Sequence, residues 1–192
     1  SMGVNIGDFL KPSPYFADTF RFFLKRFSSQ QSLFNWFIKQ AGDFTAPFEF
    51  PEILKDHPKT LVFLPREMER CTAFLHAMPD AWFKNVHFFA HESLHALISA
   101  KQSNAFYYSD RECRFGEAVF NELQDKIQTY TPEVCIYLGD KFLPRLFLAK
   151  TSGAACRIGF DVSDVYPFLN ISLQKNESSE AALIAKYYGV SK

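Results

Sequence analysis

The strongest constraint on the fold of this chain is an alternation that begins at Lys59 and continues towards the C-terminus. Short, continuous apolar runs take turns with longer stretches in which apolar residues recur at three- and four-residue steps. The runs cover residues 60–64, 86–90, 105–108, 134–138 and 156–160, and the stretches cover 68–78, 94–98, 115–127, 143–147 and 179–188. Apolar strands that alternate with helices are typical of a parallel sheet covered on both faces. The pattern therefore predicts a Rossmann-like α/β fold with a mainly parallel sheet and helices on both faces.

Residues 1–58 predict a helical, Phe-rich N-terminal extension followed by a linker. Many of the 23 Phe residues of the chain fall in its first fifty positions. A helix start at Ser13-Pro14 precedes two helical stripes, which are Phe16, Phe20, Phe23, Leu24 and Phe27, then Phe34, Phe37, Ile38 and Ala41. Gly42 is placed to end the second helix. Three prolines between 43 and 58 indicate an irregular connector, so we place the α/β domain at 59–192.

Charge and cysteine content exclude several classes of protein. The 192 residues carry a formal net charge of zero, so there is no general basic field to hold nucleic acid. No apolar run reaches the roughly 18 residues that a membrane-spanning helix requires, and the N-terminus shows no signal-peptide pattern. The four cysteines form no C-x-x-C pair, and Cys135 and Cys156 lie in apolar runs as buried thiols do. Because free thiols indicate a reducing compartment, we expect a cytoplasmic protein.

One motif specifies chemistry, and it runs from His91 to His95. The segment reads H-E-S-L-H and so satisfies H-E-x-x-H. On a continuous helix the two imidazoles share a face and bind zinc, while the glutamate acts as general base on the metal-bound water. Glu117, 26 residues after His91, is a candidate third ligand. This interpretation predicts a small zinc metallopeptidase.

The same segment has a structural interpretation, which the preceding residues favour. The run that ends at Ala90 is a predicted strand, so His91 would be a strand-end residue rather than a helical one. Glu92 would then be an acid in the first turn of the next helix, where it complements the helix dipole. On this interpretation we predict no bound metal. His91 keeps functional interest, because open α/β sheets build their ligand sites at the carboxyl ends of their strands.

The loop after the first predicted strand has no nucleotide-binding signature. It reads P-R-E-M-E-R from residue 65 to 70, with neither G-x-G-x-x-G nor a Walker A loop, and we predict no cofactor. Arg66, Glu69 and Arg70 are candidates for contacts with a phosphate or a sugar at the edge of the sheet. The alternative is that these charges form a solvated helix start. No G-x-S-x-G marks a serine nucleophile, and no cysteine shows signs of activation.

Three stretches of the α/β domain resemble the N-terminal domain of family 9 glycosyltransferases, the ADP-heptose:lipopolysaccharide heptosyltransferases. The first is residues 61–65, followed by a helix and the Met-Pro-Asp-Ala segment at 78–81. The second and most specific is 148–160, which has the order small helix, Gly-Ala, Arg-Ile-Gly. The third is 167–170, followed by a helix that ends at 188–190. The resemblance covers about two thirds of the chain, from 59 to 190.

The resemblance implies a two-domain enzyme with its active site between two Rossmann-like domains. The N-terminal domain receives the acceptor and the C-terminal domain binds the sugar nucleotide, and this chain corresponds to the first alone. The family has a Gly-Asp after its first strand, whose Asp is the implied general base. The corresponding positions here fall near Glu69 and Arg70. Because an arginine stays protonated, the resemblance implies a domain that is catalytically incomplete on its own.

Three hypotheses about function follow. The glycosyltransferase-like hypothesis assigns no catalytic residue. The first is a glycosyltransferase-like domain of lipopolysaccharide biosynthesis, or the acceptor half of a longer enzyme. It would bind a partner protein or a sugar-phosphate ligand, the ligand through Arg66, Glu69, Arg70 and His91. The second is the zinc metallopeptidase. The third is a scaffold whose Phe-rich N-terminal helices associate with a second subunit, a partner protein or a membrane surface.

Overall fold

The structure is a computed structural model, and it describes residues 45–109 and 117–190. For residues 117–120 it describes the backbone alone. It also describes five earlier residues, which are Asn35, Ile38, Lys39, Ala41 and Gly42. The helical stripe predicted over 13–27, the residues Phe34 and Phe37, and Cys113 lie outside the described residues.

Six strands of the described chain form one sheet in which every neighbouring pair is parallel. They are β1 (Thr60–Phe63), β2 (Val86–His91), β3 (Asn104–Tyr108), β4 (Val134–Tyr137), β5 (Cys156–Phe160) and β6 (Ile171–Leu173). Their spatial order is β3-β2-β1-β4-β5-β6. Strands β1, β4 and β5 are buried at every position. These strands have continuously apolar sequences because helices cover both faces of such a sheet. The predicted Rossmann-like α/β fold is confirmed.

Among residues 45–109 and 117–190, five α-helices follow the strands. They are α1 (Met68–Ala77), α2 (His95–Ser99), α3 (Glu117–Tyr130), α4 (Leu143–Thr151) and α5 (Glu180–Tyr188). Local sequence sets the ends of α5. The Ser179 hydroxyl accepts a hydrogen bond from the Ala182 N–H at 3.1 Å, and Gly189 ends the helix with a φ of 68°. No helix in the described part of the chain is long and apolar enough to cross a membrane.

The helices form two layers, one on each face of the sheet. One core cluster contains apolar residues of α3 and α4, and the other contains apolar residues of α1, α2 and α5. Successive residues of a strand belong to opposite clusters because their side chains point to opposite faces of the sheet. Leu61 and Phe63 belong to the first cluster, and Val62 belongs to the second. We name the two sides the α3/α4 face and the α1/α2/α5 face. Helices on both faces were predicted, and the two clusters confirm them.

The sequence pattern places five strands within one residue of their observed bounds but misses β6. This strand has only three residues, and its central Ser172 is exposed, so no apolar run marks it. Its extended conformation comes from pairing with the last three residues of β5. Such pairing is a tertiary interaction that local strand propensity does not reveal.

The described end of the N-terminal extension packs onto the α/β domain. Residues 35, 38, 39 and 41 are helical, and Gly42 follows with a φ of 74°, in agreement with its predicted role as the helix end. Ile38 and Ala41 pack against the core cluster of the α3/α4 face. In the connector, Leu54 is 1% exposed and belongs to the cluster of the opposite face. The connector is irregular apart from a short 3-10 turn, and it contributes to the core.

Candidate functional site

The strand order determines where the sheet can hold a ligand. The chain runs outward from β1 through β2 to β3, returns to β4 on the other side of β1, and runs outward again to β6. The connections after β1 and β4 therefore leave in opposite directions. In open parallel sheets ligands bind at this point, outside the carboxyl ends of the strands. We call the region formed by residues 64–67 and 138–142, which follow β1 and β4, the switch-point site.

A buried arginine reaches the switch-point site from α4. Arg145 is in the first turn of this helix and is 3% exposed. Its Nη2 donates to the carbonyl oxygen of Leu64, directly after β1, at 2.7 Å. Its Nε is buried and has no hydrogen-bond partner among the described residues. No described carboxylate lies within 4.0 Å of the guanidinium. The site therefore contains a buried cation whose hydrogen-bonding capacity is only partly used.

Gly139 permits the close approach of the loop after β4 to this arginine. Its φ of 117° lies in a region that residues with a Cβ rarely adopt. A Cβ at this position would lie 3.0 Å from Nη1 of Arg145 and 3.2 Å from Cβ of Pro65. Both the backbone conformation and the available space therefore require glycine. The sequence analysis identified neither Arg145 nor Gly139 as a site residue, and the glycine that directly follows an apolar run is the only local signal.

Aromatic side chains lead from the arginine across the α3/α4 face. The Cζ of Arg145 lies 5.2 Å from the ring centroid of Tyr137. The ring centroid of Phe63 lies 5.7 Å from that of Tyr137, and the ring centroid of Phe89 lies 5.0 Å from that of Phe63. Burial raises the pKa of Tyr137 to about 12, against the opposing effect of Arg145. The phenol is therefore neutral at physiological pH, and its hydroxyl donates to the carbonyl oxygen of Asp140.

His91 ends β2, the strand next to β1, and is 3% exposed. Its Nδ1 accepts a hydrogen bond from the Ser93 backbone N–H at 3.2 Å and lies 2.8 Å from the Ser93 hydroxyl. Because an N–H can only donate, Nδ1 of the neutral ring is an acceptor, and the ring proton is on Nε2. The ring meets that of Tyr108 on β3 edge-on, with centroids 5.4 Å apart. The prediction that His91 is a strand-end residue is confirmed.

The segment from His91 to His95 is not a continuous helix. His91 has an extended backbone with φ −66° and ψ 145°, a 3-10 turn covers Glu92–Leu94, and α2 begins only at His95. The zinc motif needs both histidines on one helical face, and this backbone does not provide such a face. His95 is exposed, with its ring 5.0 Å from that of Tyr107. Among the described side chains, which do not include that of Glu117, no cluster of three metal-binding groups is found.

The three charged residues predicted as ligand contacts after β1 have different surroundings. Arg66 is partly buried in the switch-point site, whereas Glu69 is exposed in the first turn of α1. Arg70 is also exposed, and its Nη2 donates to both carboxylate oxygens of Glu180 on α5 at 3.0 and 3.1 Å. That ion pair joins two neighbouring helices. The ligand contact that the sequence predicts for Arg70 stays a prediction.

The opposite edge of the sheet contains a cavity of about 610 Å³. Its walls come from the ends of α3 and α4, from the residues that precede β4 and β5, and from Ala46 and Ile53 of the connector. Glu133 is the charged residue of this lining, and its carboxylate accepts a hydrogen bond from the Lys59 N–H at 2.8 Å. The cavity lies at the amino ends of the strands, away from the switch-point site. The strand order does not favour this edge for ligand binding.

A second buried arginine lies near this amino edge. Arg157, the second residue of β5, is 2% exposed. It donates to the carbonyl oxygens of Phe168 and Ala154 at 2.8 Å and of Pro167 at 3.0 Å. Burial lowers the pKa of its guanidinium. Its hydrogen bonds connect β5 to the segment that returns to β6, so its role is structural.

The described cysteines are unreactive thiols. Burial raises the pKa of Cys71, Cys135 and Cys156 to about 12, so each is protonated at physiological pH. The prediction that Cys135 and Cys156 are buried is confirmed. The Cys71 thiol donates to the carbonyl oxygen of Pro65 at 3.0 Å. It therefore helps to hold the loop after β1 and is not a nucleophile.

Comparisons of the chain with known protein families, with curated proteins and with solved structures find no match. The resemblance to family 9 glycosyltransferases rests on the sequence stretches alone.

Proposed function

We propose that the chain is a glycosyltransferase-like domain that binds a sugar-phosphate ligand at the switch-point site and does not transfer a sugar on its own. The observation that carries the proposal is the strand order, which puts β1 beside β4 and makes their connections diverge. Sheets of this order bind phosphorylated ligands such as nucleotides at that point. Arg66 and Arg145 supply cationic groups there, as a phosphorylated ligand requires.

The glycosyltransferase-like part of the proposal is supported by the roles of residues in the most specific resembling stretch. Arg157 ties β5 to the following segment. Gly159 lets that segment approach, because a Cβ on it would lie 2.4 Å from Cγ2 of Val162 and 2.6 Å from Cδ1 of Leu169. Both residues are needed by this packing. They support a shared domain architecture.

The catalytic incompleteness is supported by the start of α1, where the resemblance puts the general base. Arg70 cannot accept a proton at physiological pH, and its guanidinium is paired with Glu180. Glu69 is exposed to solvent. The proposal therefore assigns no catalytic residue to this chain, and it places the protein in the cytoplasm, where free thiols such as those of the three described cysteines are stable.

An NMR titration of the ¹⁵N-labelled chain tests the proposal. Glucose 1-phosphate, mannose 1-phosphate and sedoheptulose 7-phosphate would be added separately, with glucose and mannose as unphosphorylated controls. We expect at least one phosphate ester to cause saturable shifts in the amides of 64, 66, 67, 92–94 and 138–142, and the free sugars to cause none.

Two results would contradict the proposal. The first is that none of the phosphate esters perturbs the switch-point site, or that saturable shifts are confined to the cavity at the amino edge. The second is turnover of a nucleotide sugar by the purified chain alone, which would show that it is catalytically complete.

A further inference from the structure

We propose that Arg145 binds the phosphate group of the ligand, so that its partly used guanidinium is the anion-recognising element of the switch-point site. The inference rests on the proposed function for the place of the site, but it does not depend on the sugar. It is based on the hydrogen bonding of Arg145, on the charge of the groups around it, and on its position in the sheet.

The hydrogen bonding of Arg145 is incomplete in a place that water does not reach. A guanidinium has five N–H donors in one plane. In this buried group Nη2 donates to Leu64, and Nε finds no partner among the described residues. A buried charge is strongly unfavourable unless it is both paired and hydrogen-bonded. An oxyanion beside Nε would supply the opposite charge and the missing acceptor together.

The described groups around Arg145 do not provide that negative charge. Tyr137 and Cys71 both interact with its charge, and burial raises the pKa of each to about 12, so both are neutral. Glu67 and Asp140 belong to the same site, but both are exposed to solvent. Neither carboxylate lies within 4.0 Å of the guanidinium. No group in the described part of the chain supplies the counter-charge, and we assign that role to a ligand.

The position of Arg145 matches that of a phosphate group in a sheet of this topology. Its hydrogen bond to Leu64 and its proximity to Gly139 put the guanidinium between the carboxyl ends of β1 and β4. It is in the first turn of the nine-residue α4, whose N-cap Phe142 makes no side-chain cap. The positive end of the helix dipole adds to the same field. A planar guanidinium binds two phosphate oxygens in parallel, which selects a phosphate ester over a neutral sugar.

A ligand must reach a guanidinium that is almost fully covered. The loop of residues 139–142 approaches it at Gly139, where an added Cβ would lie 3.0 Å from Nη1. Within this loop the Phe142 N–H donates to the Asp140 carbonyl at 2.7 Å, and the hydroxyl of Tyr137 donates to the same oxygen. We therefore expect the amides of 139–142 to shift when a phosphate binds beside the guanidinium.

The test uses inorganic phosphate as the probe, with sodium chloride at matched ionic strength as the control for screening. The ¹⁵Nε–¹Hε resonance of Arg145 and the amides of 139–142 would be followed in the wild-type chain. Binding would then be compared in Arg145→Met, in Arg145→Lys and in Lys126→Met. The last variant removes one exposed positive charge from α3, a helix whose end lines the cavity at the amino edge of the sheet.

We expect saturable phosphate-dependent shifts of the Arg145 Nε–Hε resonance and a phosphate-dependent rise in Tm. The Arg145→Met variant should lose at least tenfold in phosphate affinity, whereas Lys126→Met should bind as the wild type does. Arg145→Lys should keep only part of the affinity, since a lysine retains the charge but not the planar pair of donors. If Arg145→Met does not fold, the Nε–Hε resonance of the wild type decides the matter alone.

Failure of this inference is distinguishable from failure of the proposed function. If sugar phosphates shift the switch-point amides while Arg145→Met binds them as tightly as the wild type, the proposed function stands and Arg145 is not the recognising group. If phosphate moves the Arg145 resonance but no sugar phosphate binds more tightly than phosphate itself, the inference stands and the sugar-binding proposal fails. A wild-type Nε–Hε resonance that does not respond to phosphate overturns the inference.

Discussion

The two buried arginines of this protein lie near opposite edges of one sheet, and their hydrogen bonding differs. Arg157, near the amino end of β5, donates from all three of its nitrogens to backbone carbonyl oxygens. Arg145, near the carboxyl ends of β1 and β4, donates to Leu64 and has an Nε without a partner in the described part of the chain. Their exposed fractions are nearly equal, at 2% and 3%.

The difference shows that burial and residue type do not by themselves reveal the role of a buried charge. Around Arg157 several backbone carbonyl groups converge on the guanidinium, and its hydrogen bonds to them stabilise the fold. Around Arg145 the described acidic groups, Glu67 and Asp140, are exposed to solvent and lie more than 4.0 Å from the guanidinium, so the cation keeps the capacity to bind another group. The number of satisfied donors separates a structural arginine from a candidate binding residue.

Replacing Arg157 with Met should have the largest effect and would test the structural half of the comparison. The change leaves the carbonyl oxygens of Phe168, Ala154 and Pro167 without their donor in a buried place. We expect a loss of about 3 kcal/mol or more in the free energy of unfolding, since each buried unsatisfied group costs about 1–3 kcal/mol. Urea unfolding followed by circular dichroism measures it.

The matched variant is Arg145→Met, measured without phosphate. It leaves one buried acceptor, the Leu64 carbonyl, without its donor, whereas Arg157→Met leaves three. Because one buried unsatisfied group costs about 1–3 kcal/mol, we expect a loss of that size, clearly smaller than the loss in Arg157→Met. Equal losses in the two variants would remove the distinction on which the comparison rests.

Replacing Gly139 with Ala should have an intermediate effect and sharpen the binding half of the comparison. The added Cβ would meet Arg145 and Pro65 at 3.0 and 3.2 Å. The control is Gly153→Ala, because Gly153 has a φ of 92° but a Cβ added to it would meet no atom within 4 Å. Backbone strain should cost each variant about 1–3 kcal/mol, measured by thermal unfolding. Only Gly139→Ala should also alter the phosphate response, and a normal response in that variant would contradict the proposed placement of the anion.

The pH dependence of stability should reveal a smaller effect at the amino edge. The ring centroid of His87 lies 4.4 Å from that of Phe106 and 4.7 Å from that of Tyr130, and burial lowers the pKa of His87 from 6.5. The unfolded chain therefore takes up a proton before the folded chain does, so stability is complete above pH 6.5 and falls as the pH drops below it. His87→Phe should show a shallower loss of Tm between pH 7 and 5. An unchanged slope would show that His87 does not titrate as its burial requires.

The smallest expected effect is at the exposed ion pair between Arg70 and Glu180. The Arg70 side chain is 41% exposed, and such pairs contribute less than about 1 kcal/mol. Arg70→Ala should therefore lower the unfolding free energy by less than that and leave the phosphate affinity unchanged. A clear loss of phosphate binding, measured by the same NMR titration, would return Arg70 to the ligand-binding role that the sequence suggested.

Sequence patterns predicted β1, β2, β4 and β5 well because these strands are largely buried and therefore mostly apolar. They also found β3 from its short run of apolar and aromatic residues, although Tyr108 is its one buried residue. They missed β6, whose three residues are extended only because β5 pairs with them. At the site, His91 could be placed at a strand end from the apolar run before it, and the structure agrees. Arg145 could not be recognised as a site residue. It lies within an apolar helical stretch, where the pattern predicts an arginine on the solvent-exposed side of an amphipathic helix.

Local apolar periodicity thus determined the class of fold and, within one residue, the strands that build its centre. Only the tertiary structure decided the strand order, the switch point between β1 and β4, and the different environments of Arg145 and Arg157. The physical reason is that periodicity records which side chains are buried, whereas the partners of a buried charge come from segments distant in sequence. Arg145 meets Leu64 across 81 positions of the chain, and no local pattern encodes that contact.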